Sequence, residues 1–199
     1  MSDKLVMVFT RNPELGKVKT RLAKTIGNRA ALNIYKYLLK HTESIIKTID
    51  SDKAVYYTKS VIKNDLWNSK LYKKHLQQGD DLGSKMSTAF QNAFNDNYKK
   101  VIIVGSDLPD LEKHHIDDAF EKLDHHDIVI GPANDGGYYL LGMKKKNDSI
   151  FLNKNWGTDS VLDDTINDLK NENVFLLEPL NDVDTYDDIK NNIILKDLV

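Results

Sequence analysis

The sequence predicts an α/β sandwich on a mainly parallel sheet. Short apolar runs alternate with longer stretches of helical period along the whole chain. One run, Lys100 to Gly105, sets four apolar residues in a row and closes on Gly, the pattern of a central strand. Polar clusters follow three of the runs, where the carboxyl ends of parallel strands would gather a ligand site.

The elements follow in order. Lys4 to Thr10 reads as a buried strand. Ala30 to Ile49 reads as a helix with Ala31, Ile34, Leu38, Ile45 and Ile49 on one stripe. Lys53 to Thr58 is strand-like, and Leu82 to Phe94 carries Leu82, Met86, Ala89, Phe90, Ala93 and Phe94 at helical spacing. After the central strand, Ile116, Ala119, Phe120 and Leu123 mark a helix, Asp127 to Gly131 a strand, and Gly137 to Met143 a strand bounded by glycines. Val161, Leu162, Ile166 and Leu169 define a further helix, Val174 to Leu177 a short strand, and Tyr186 to Leu195 a last helix. With no repeat and no Pro/Gly-rich linker, residues 1–199 read as one domain.

Composition narrows the class. The 199 residues are 40% hydrophobic and 29% charged, which excludes a disordered tail. No apolar run approaches the roughly 20 residues of a membrane span. Residues 1–4 lead straight into a strand without a signal-peptide core, and Cys is absent, so a cytoplasmic protein without disulfides is expected. A net charge of −2 argues against a general nucleic-acid binder. Three of the 28 basic residues are Arg and six of the 30 acidic residues are Glu, so an arginine is informative here and an isolated aspartate is not.

Five clusters carry candidate chemistry. Thr10 to Leu22 packs Arg11, Lys17, Lys19 and Arg21 within eleven residues, with Pro13 and Gly16 to shape the loop. It reads either as a phosphate-binding loop or as a solvated basic loop, and it matches neither the Walker nor the Gly-x-Gly-x-x-Gly pattern. Gly105-Ser106-Asp107-Leu108-Pro109 sets Asp107 at a strand end, as a ligand for a hard cation or as a helix cap, a role Asp110 could share. Asp182-Val183-Asp184-Thr185 has the Asp-x-Asp spacing, but with 24 Asp roughly three such pairs are expected by chance. Asp50-Ser51-Asp52 is the other pair, and spacing cannot choose between them. Asn134-Asp135-Gly136-Gly137 is either a close approach to a ligand or a hairpin turn. Gly79-Asp80-Asp81-Leu82-Gly83 either receives a flat base or shapes a helix entry. The six histidines show no metal-binding spacing, and no serine sits in a nucleophile elbow.

Taken in order with Trp156-Gly157-Thr158, these segments resemble the bacterial DUF2064 family of glycosyltransferase-A-fold proteins, within the nucleotide-diphospho-sugar transferase superfamily. They are also similar to guanylyltransferases that activate phospholactate, which share a Lys-Ser/Thr-Arg-Leu element. The resemblance implies a Rossmann-like three-layer α/β/α sandwich with a mixed, mainly parallel sheet. It implies that Arg11, Gly16, Lys19, Arg21, Gly79, Leu82, Gly83 and Ser106 bind a nucleotide. Asp107 and Asp184 would hold Mg²⁺ or Mn²⁺, which promotes the second Asp-x-Asp over the first. Asp135, Gly136, Gly137 and Trp156 would face the acceptor, and Asp107, Lys19, Arg21 and Asp135 would be catalytic. The loop departs from sugar nucleotidyltransferases in lacking their Gly-Gly pair.

The implied activity is metal-dependent transfer from a nucleotide-activated donor to a small acceptor, with no nucleic acid and no membrane span involved. Glycosyl transfer from a nucleotide-diphospho-sugar is the first expectation. Nucleotidyl transfer onto a small phosphorylated metabolite is the second. A non-catalytic nucleotide sensor is the alternative from another class.

Overall fold

A computed structural model describes residues 2–199. Within them lie seven strands: β1 (Lys4–Thr10), β2 (Asp52–Tyr57), β3 (Tyr72–Leu76), β4 (Lys100–Val104), β5 (Ile128–Pro132), β6 (Tyr138–Met143) and β7 (Val174–Leu176). They form one sheet in the order β3-β2-β1-β4-β6-β5-β7. The helices are α1 (Thr20–Ile46), α2 (Leu82–Asn95), α3 (Lys113–His125), α4 (Val161–Asp168) and the single-turn α5 (Ile193–Lys196). All pairings are parallel except those of β6, which runs against β4 and β5. The carboxyl ends of β1, β4 and β5 therefore share one edge, and β1 and β4 flank the point where the chain order reverses.

Alternation along the strands builds two cores. Val6, Val8, Ile102 and Val104 face Tyr35 and Leu39 of α1 and Ile116 and Phe120 of α3. Leu5, Met7, Ile103 and Leu141 face Met86 and Phe90 of α2 and, at the rim, Leu162 and Ile166 of α4. Burying a side chain such as Phe90 contributes about 1.5–3 kcal/mol, and dozens of such side chains make the three layers.

Four expectations change. The first helix starts ten residues earlier than expected, at Thr20, and ends at Ile46, leaving Ile49 beyond it; its path is broken at Gly27 (φ 83°, ψ 158°). Its expected stripe also divides. Ala31, Ile34 and Leu38 pack on Val183, Ile189 and Leu195 of the C-terminal segment, while Ile45 and Ile49 join Leu32, Tyr35, Leu39 and Ile46 in the core against the sheet. A helix buried on two faces has no single stripe to read. Strand β3, with the sequence YKKHL, is new, because an edge strand shows little alternation when only Tyr72 is buried. Finally, Tyr186 to Leu195 is not one helix. The Asp188 carboxylate accepts from the Asp184 and Thr185 amides and the Thr185 hydroxyl, which fixes a turn, and Asn192 caps a fresh start at Ile193.

Candidate active site

The first cluster becomes the loop between β1 and α1. Gly16 (φ 72°) and Lys19 (φ 46°, ψ 47°) both take left-handed backbone conformations, a strained choice for a lysine. Lys19 occupies the cap position of α1 without capping it, and no acidic residue lies in the first turn, so the opening amides of the stretch before the break at Gly27 have no side-chain cap and can meet an anion. The loop is pinned from behind by Tyr35 of α1. Its hydroxyl accepts from the Arg11 amide (2.8 Å), lies 3.0 Å from the Thr10 hydroxyl and 3.5 Å from Ser106 Oγ, and burial raises its pKa. Asn12 is structural: its amide group bridges to Lys59 and Ser60 beyond β2.

The Lys19 side chain reaches across the strand ends to Asp107, Nζ to Oδ2 2.7 Å, with 7% of the lysine side chain exposed. Burial works to lower the ammonium pKa, but Asp107, with Asp182 and Asp184 nearby, outweighs it and raises the value. Asp107 is not a helix cap; Glu112 holds that place on α3, and Asp110 does not. The backbone amide of Val183 donates to the Asp107 carbonyl (3.1 Å), which brings Asp182-Val183-Asp184 alongside. Asp184 pairs with Arg21, Oδ2 to Nη1 2.5 Å. Both carboxylates expected to take a metal are thus paired with cations, Lys19 at the end of the β1–α1 loop and Arg21 in the first turn of α1.

A cavity of about 180 Å³ opens beside this pair, with Asp107, Asp135 and Asp182 among its lining and Leu82, Tyr138 and Trp156 as its apolar wall. No basic side chain lines it. Asp182, rather than Asp184, faces this cavity; burial, then Asp107 and Asp135, push its pKa up to about 6. A larger cavity of about 390 Å³ lies on the α2 flank beside β3 and contains none of the cluster residues.

The glycine clusters have double roles. Asp135 to Gly137 is the turn from β5 to β6, as the hairpin reading expected, with the Gly137 amide donating to Asp135 Oδ1 (2.9 Å); it also lines the cavity. Asp81 and Ser84 form a capping box for α2, so the helix-entry reading of that cluster holds. Gly79 (φ 138°) lies under the first turn of α2. Gly83 gives room to the Trp156 indole, which meets the Tyr138 ring edge-on at 6.4 Å.

The structure brings Asp107, Lys19, Arg21, Asp135, Gly137, Leu82, Gly83, Trp156 and Asp184 around one edge of the sheet. Arg11 is exposed on the same loop, and Gly136 supports the turn behind it. Ser106 does not join them: it is buried toward Tyr35. Sequence reasoning missed Tyr35, Tyr138 and Asp182 as site residues. Tyr138 and Asp182 lie inside the quoted motifs, whereas Tyr35 read as one more core residue of a helix.

The donors suit a hard cation. Asp107, Asp182 and Asp184 offer only carboxylate oxygens, and Asp107 and Asp182 line one cavity that has no basic side chain in its wall. Among the described residues, no three of these carboxylates converge within 4.8 Å of one another.

Comparison with known proteins adds the kinship. A sequence profile described as "Uncharacterized protein conserved in bacteria (DUF2064)" matches residues 42–158. A 2-phospho-L-lactate guanylyltransferase from Methanocaldococcus vulcanius is 26% identical over 146 residues, which cover 72% of this chain and 63% of that protein. Its counterpart from Methanocaldococcus jannaschii is 27% identical over 149 residues, 72% of this chain and 61% of that one. The chain thus spans less than two thirds of the length of these relatives. A crystal structure of a candidate nucleotide-diphospho-sugar transferase from Desulfovibrio desulfuricans G20 superimposes with a TM-score of 0.86 at 31% identity, covering 100% of this chain and 94% of that one. The 4-diphosphocytidyl-2C-methyl-D-erythritol synthase of Anaerococcus prevotii shares the fold at a TM-score of 0.62 and 11% identity, covering 97% of this chain and 96% of that one.

Proposed function

The chain belongs to the DUF2064 family, and from that premise we propose that it is a nucleotidyltransferase joining a nucleoside monophosphate unit to a small phosphorylated acceptor. The observation that carries the reading is the pairing of Lys19, at the open start of α1, with Asp107 at the end of β4. This arrangement sets a phosphate-binding loop against a hard-cation site on one sheet edge. The guanylyltransferase relatives support the same class of reaction. Glycosyl transfer draws support only from the superfamily fold.

In the proposed reaction an acceptor phosphate oxygen attacks the α-phosphorus of a nucleoside triphosphate. A new P–O bond forms, the α–β bridging P–O bond breaks, and pyrophosphate leaves with the electron pair. Lys19, Arg21 and the first amides of α1 hold the β- and γ-phosphates and meet the charge that grows on them. Arg11 stands exposed at the loop entrance to guide the polyphosphate in. Gly79 and Leu82 offer the surface for the base, Gly83 lies buried behind them under the Trp156 indole, and the Asp135–Gly137 turn with Trp156 receives the acceptor. Asp107, with Asp182 or Asp184, would hold Mg²⁺ or Mn²⁺, which supplies Lewis-acid polarisation of the phosphates. We place the reaction in the cytoplasm, where nucleoside triphosphates are made; among the described residues no helix is long and apolar enough to cross a membrane.

The test is pyrophosphate release from each of the four nucleoside triphosphates with Mg²⁺ and a panel of phosphorylated acceptors. Acceptor-dependent pyrophosphate supports nucleotidyl transfer. Release of a nucleoside diphosphate from a sugar nucleotide would favour glycosyl transfer instead. Nucleotide binding without either product would favour a sensor. If no nucleotide raises Tm at millimolar concentration, the loop assignment falls.

A further inference from the structure

We propose that His114, His115 and Glu178 form a second metal site, apart from the nucleotide site, that takes a borderline divalent cation such as Zn²⁺. They are the trio of histidine and carboxylate side chains among the described residues whose donor atoms all lie within 4.8 Å of one another. His114 Nε2 lies 3.0 Å and His115 Nε2 2.9 Å from the same oxygen, Glu178 Oε1. Consecutive helix positions normally diverge by about 100°. Here the two rings instead lie with centroids 4.0 Å apart and 34° between planes, so both Nε2 atoms aim at one point.

The outer nitrogen of His114 is served as a metal-bound imidazole requires, and that of His115 has a carbonyl within reach. His114 Nδ1 lies 3.3 Å from the Glu112 carboxylate, a partner that fixes the ring with its Nε2 lone pair outward. His115 Nδ1 has the Glu112 amide at 2.9 Å and the Glu112 carbonyl at 3.3 Å. In the capping box Nδ1 accepts from the amide, which leaves Nε2–H directed at Glu178; a cation takes the other tautomer, in which Nδ1 donates to the carbonyl and the bond from the amide is released. Glu178 is held in turn: the Tyr139 hydroxyl donates to its backbone carbonyl (3.2 Å). His115 is buried, while His114 and Glu178 are half exposed, which leaves a solvent-facing position for water as fourth ligand. Two imidazoles and one carboxylate favour Zn²⁺ over Mg²⁺.

The site has a mechanical consequence. Glu178 begins the segment that pairs with β5 through Leu180 and then carries Asp182 and Asp184. A cation bridging Glu178 to α3 would staple that segment to the body of the fold.

The experiment uses the full chain without a histidine tag, stripped with EDTA and titrated with Zn²⁺ in competition with a chromophoric chelator. One equivalent is expected to bind. His114→Ala and Glu178→Gln should each weaken it at least tenfold; both positions are exposed enough to leave folding intact, whereas His115→Ala would also remove the capping interaction at the start of α3. Co²⁺ in place of Zn²⁺ should give the visible bands of a four-coordinate ion, lost in His114→Ala. Asp107→Asn should keep the Zn²⁺ affinity. Unchanged affinity in His114→Ala or Glu178→Gln, or its loss in Asp107→Asn, would overturn the assignment. Because no nucleotide enters this test, its failure is separate from failure of the proposed reaction.

Discussion

Lys19 Nζ sits 2.7 Å from Asp107 Oδ2, on a lysine held in the left-handed region at the mouth of α1. Arg21 stands in the same relation to Asp184 two residues on. The two cations at the start of α1 and the carboxylates of Asp107 and Asp184 therefore satisfy each other. On the proposed function, a polyphosphate that draws Lys19 and Arg21 away would leave Asp107 and Asp184 free for the cation that accompanies it.

Lys19→Met should separate the two halves of that exchange. A charge-assisted hydrogen bond contributes about 1.5–3 kcal/mol, so affinity for a nucleoside triphosphate should fall roughly 10- to 100-fold. Mn²⁺ without nucleotide should bind the variant more tightly than the parent, because a competing ammonium is gone. Electron paramagnetic resonance of free Mn²⁺ measures this directly. Equal Mn²⁺ affinity in the two proteins would mean that Lys19 does not guard Asp107.

Asp182→Asn should stabilise the free protein. Burial and two neighbouring carboxylates raise the folded-state pKa of Asp182 to about 6 from 3.8, so its charged form disfavours folding. The sign follows: above the folded pKa the ionised side chain costs stability, and the neutral amide does not. Discounted for partial exposure, the gain is about 1 kcal/mol, or about 2–4 °C in Tm at pH 7. The same change should remove any rise in Tm that requires nucleotide and Mg²⁺ together. Calorimetry of parent and variant, each with and without both ligands, reads both effects; a lower Tm for free Asp182→Asn would refute the electrostatic account.

Legibility followed burial. β4 was plain because Val101 to Val104 are buried, whereas β3 was not, because Lys73, Lys74, His75 and Leu76 leave an edge strand without a pattern. The length of α1 was hidden by Gly27, which reads as a stop but acts only as an interruption. At the site, Asp107 could be picked out by its place after a central strand. The choice between Asp182 and Asp184 could not, since neighbours two apart in an irregular segment have no fixed facing. It took the Val183 amide on the Asp107 carbonyl to turn Asp182 toward the cavity and leave Asp184 to Arg21.

Gly136 and Gly157 make a matched pair for the turn beside Asp135. Their φ values are 87° and 86°, so alanine meets the same backbone penalty at each, about 1–2 kcal/mol. Their surroundings differ. A Cβ at Gly157 meets nothing within 4 Å, but at Gly136 it would lie 2.2 Å from the Asp159 carbonyl oxygen and 2.6 Å from its Cα. Backbone cannot step aside as a flexible side chain can, so Gly136→Ala should lose at least about 3 kcal/mol and Gly157→Ala only the conformational part. Urea titration of the two variants decides it, and equal midpoints would show that the turn is free to relax.

Gly83 and Trp156 test how the cavity wall is held. A methyl on Gly83 would fall 2.6 Å from Trp156 Cζ2 and Nε1 and 2.7 Å from the Phe151 carbonyl oxygen. The indole can give way, but the carbonyl cannot, so Gly83→Ala must displace Trp156 from its edge-on contact with Tyr138 as well as strain α2. The chain has two tryptophans, and Trp67 is 1% exposed in the core, so a fluorescence change on acceptor binding belongs to Trp156. That change should vanish in Trp156→Phe and shrink in Gly83→Ala. Triphosphate affinity, set on the Lys19 side, should move less than threefold in either variant. A Trp156→Phe protein that loses triphosphate affinity as strongly as acceptor affinity would mean that the indole stacks on the base instead, and the acceptor would have to lie toward Asp135.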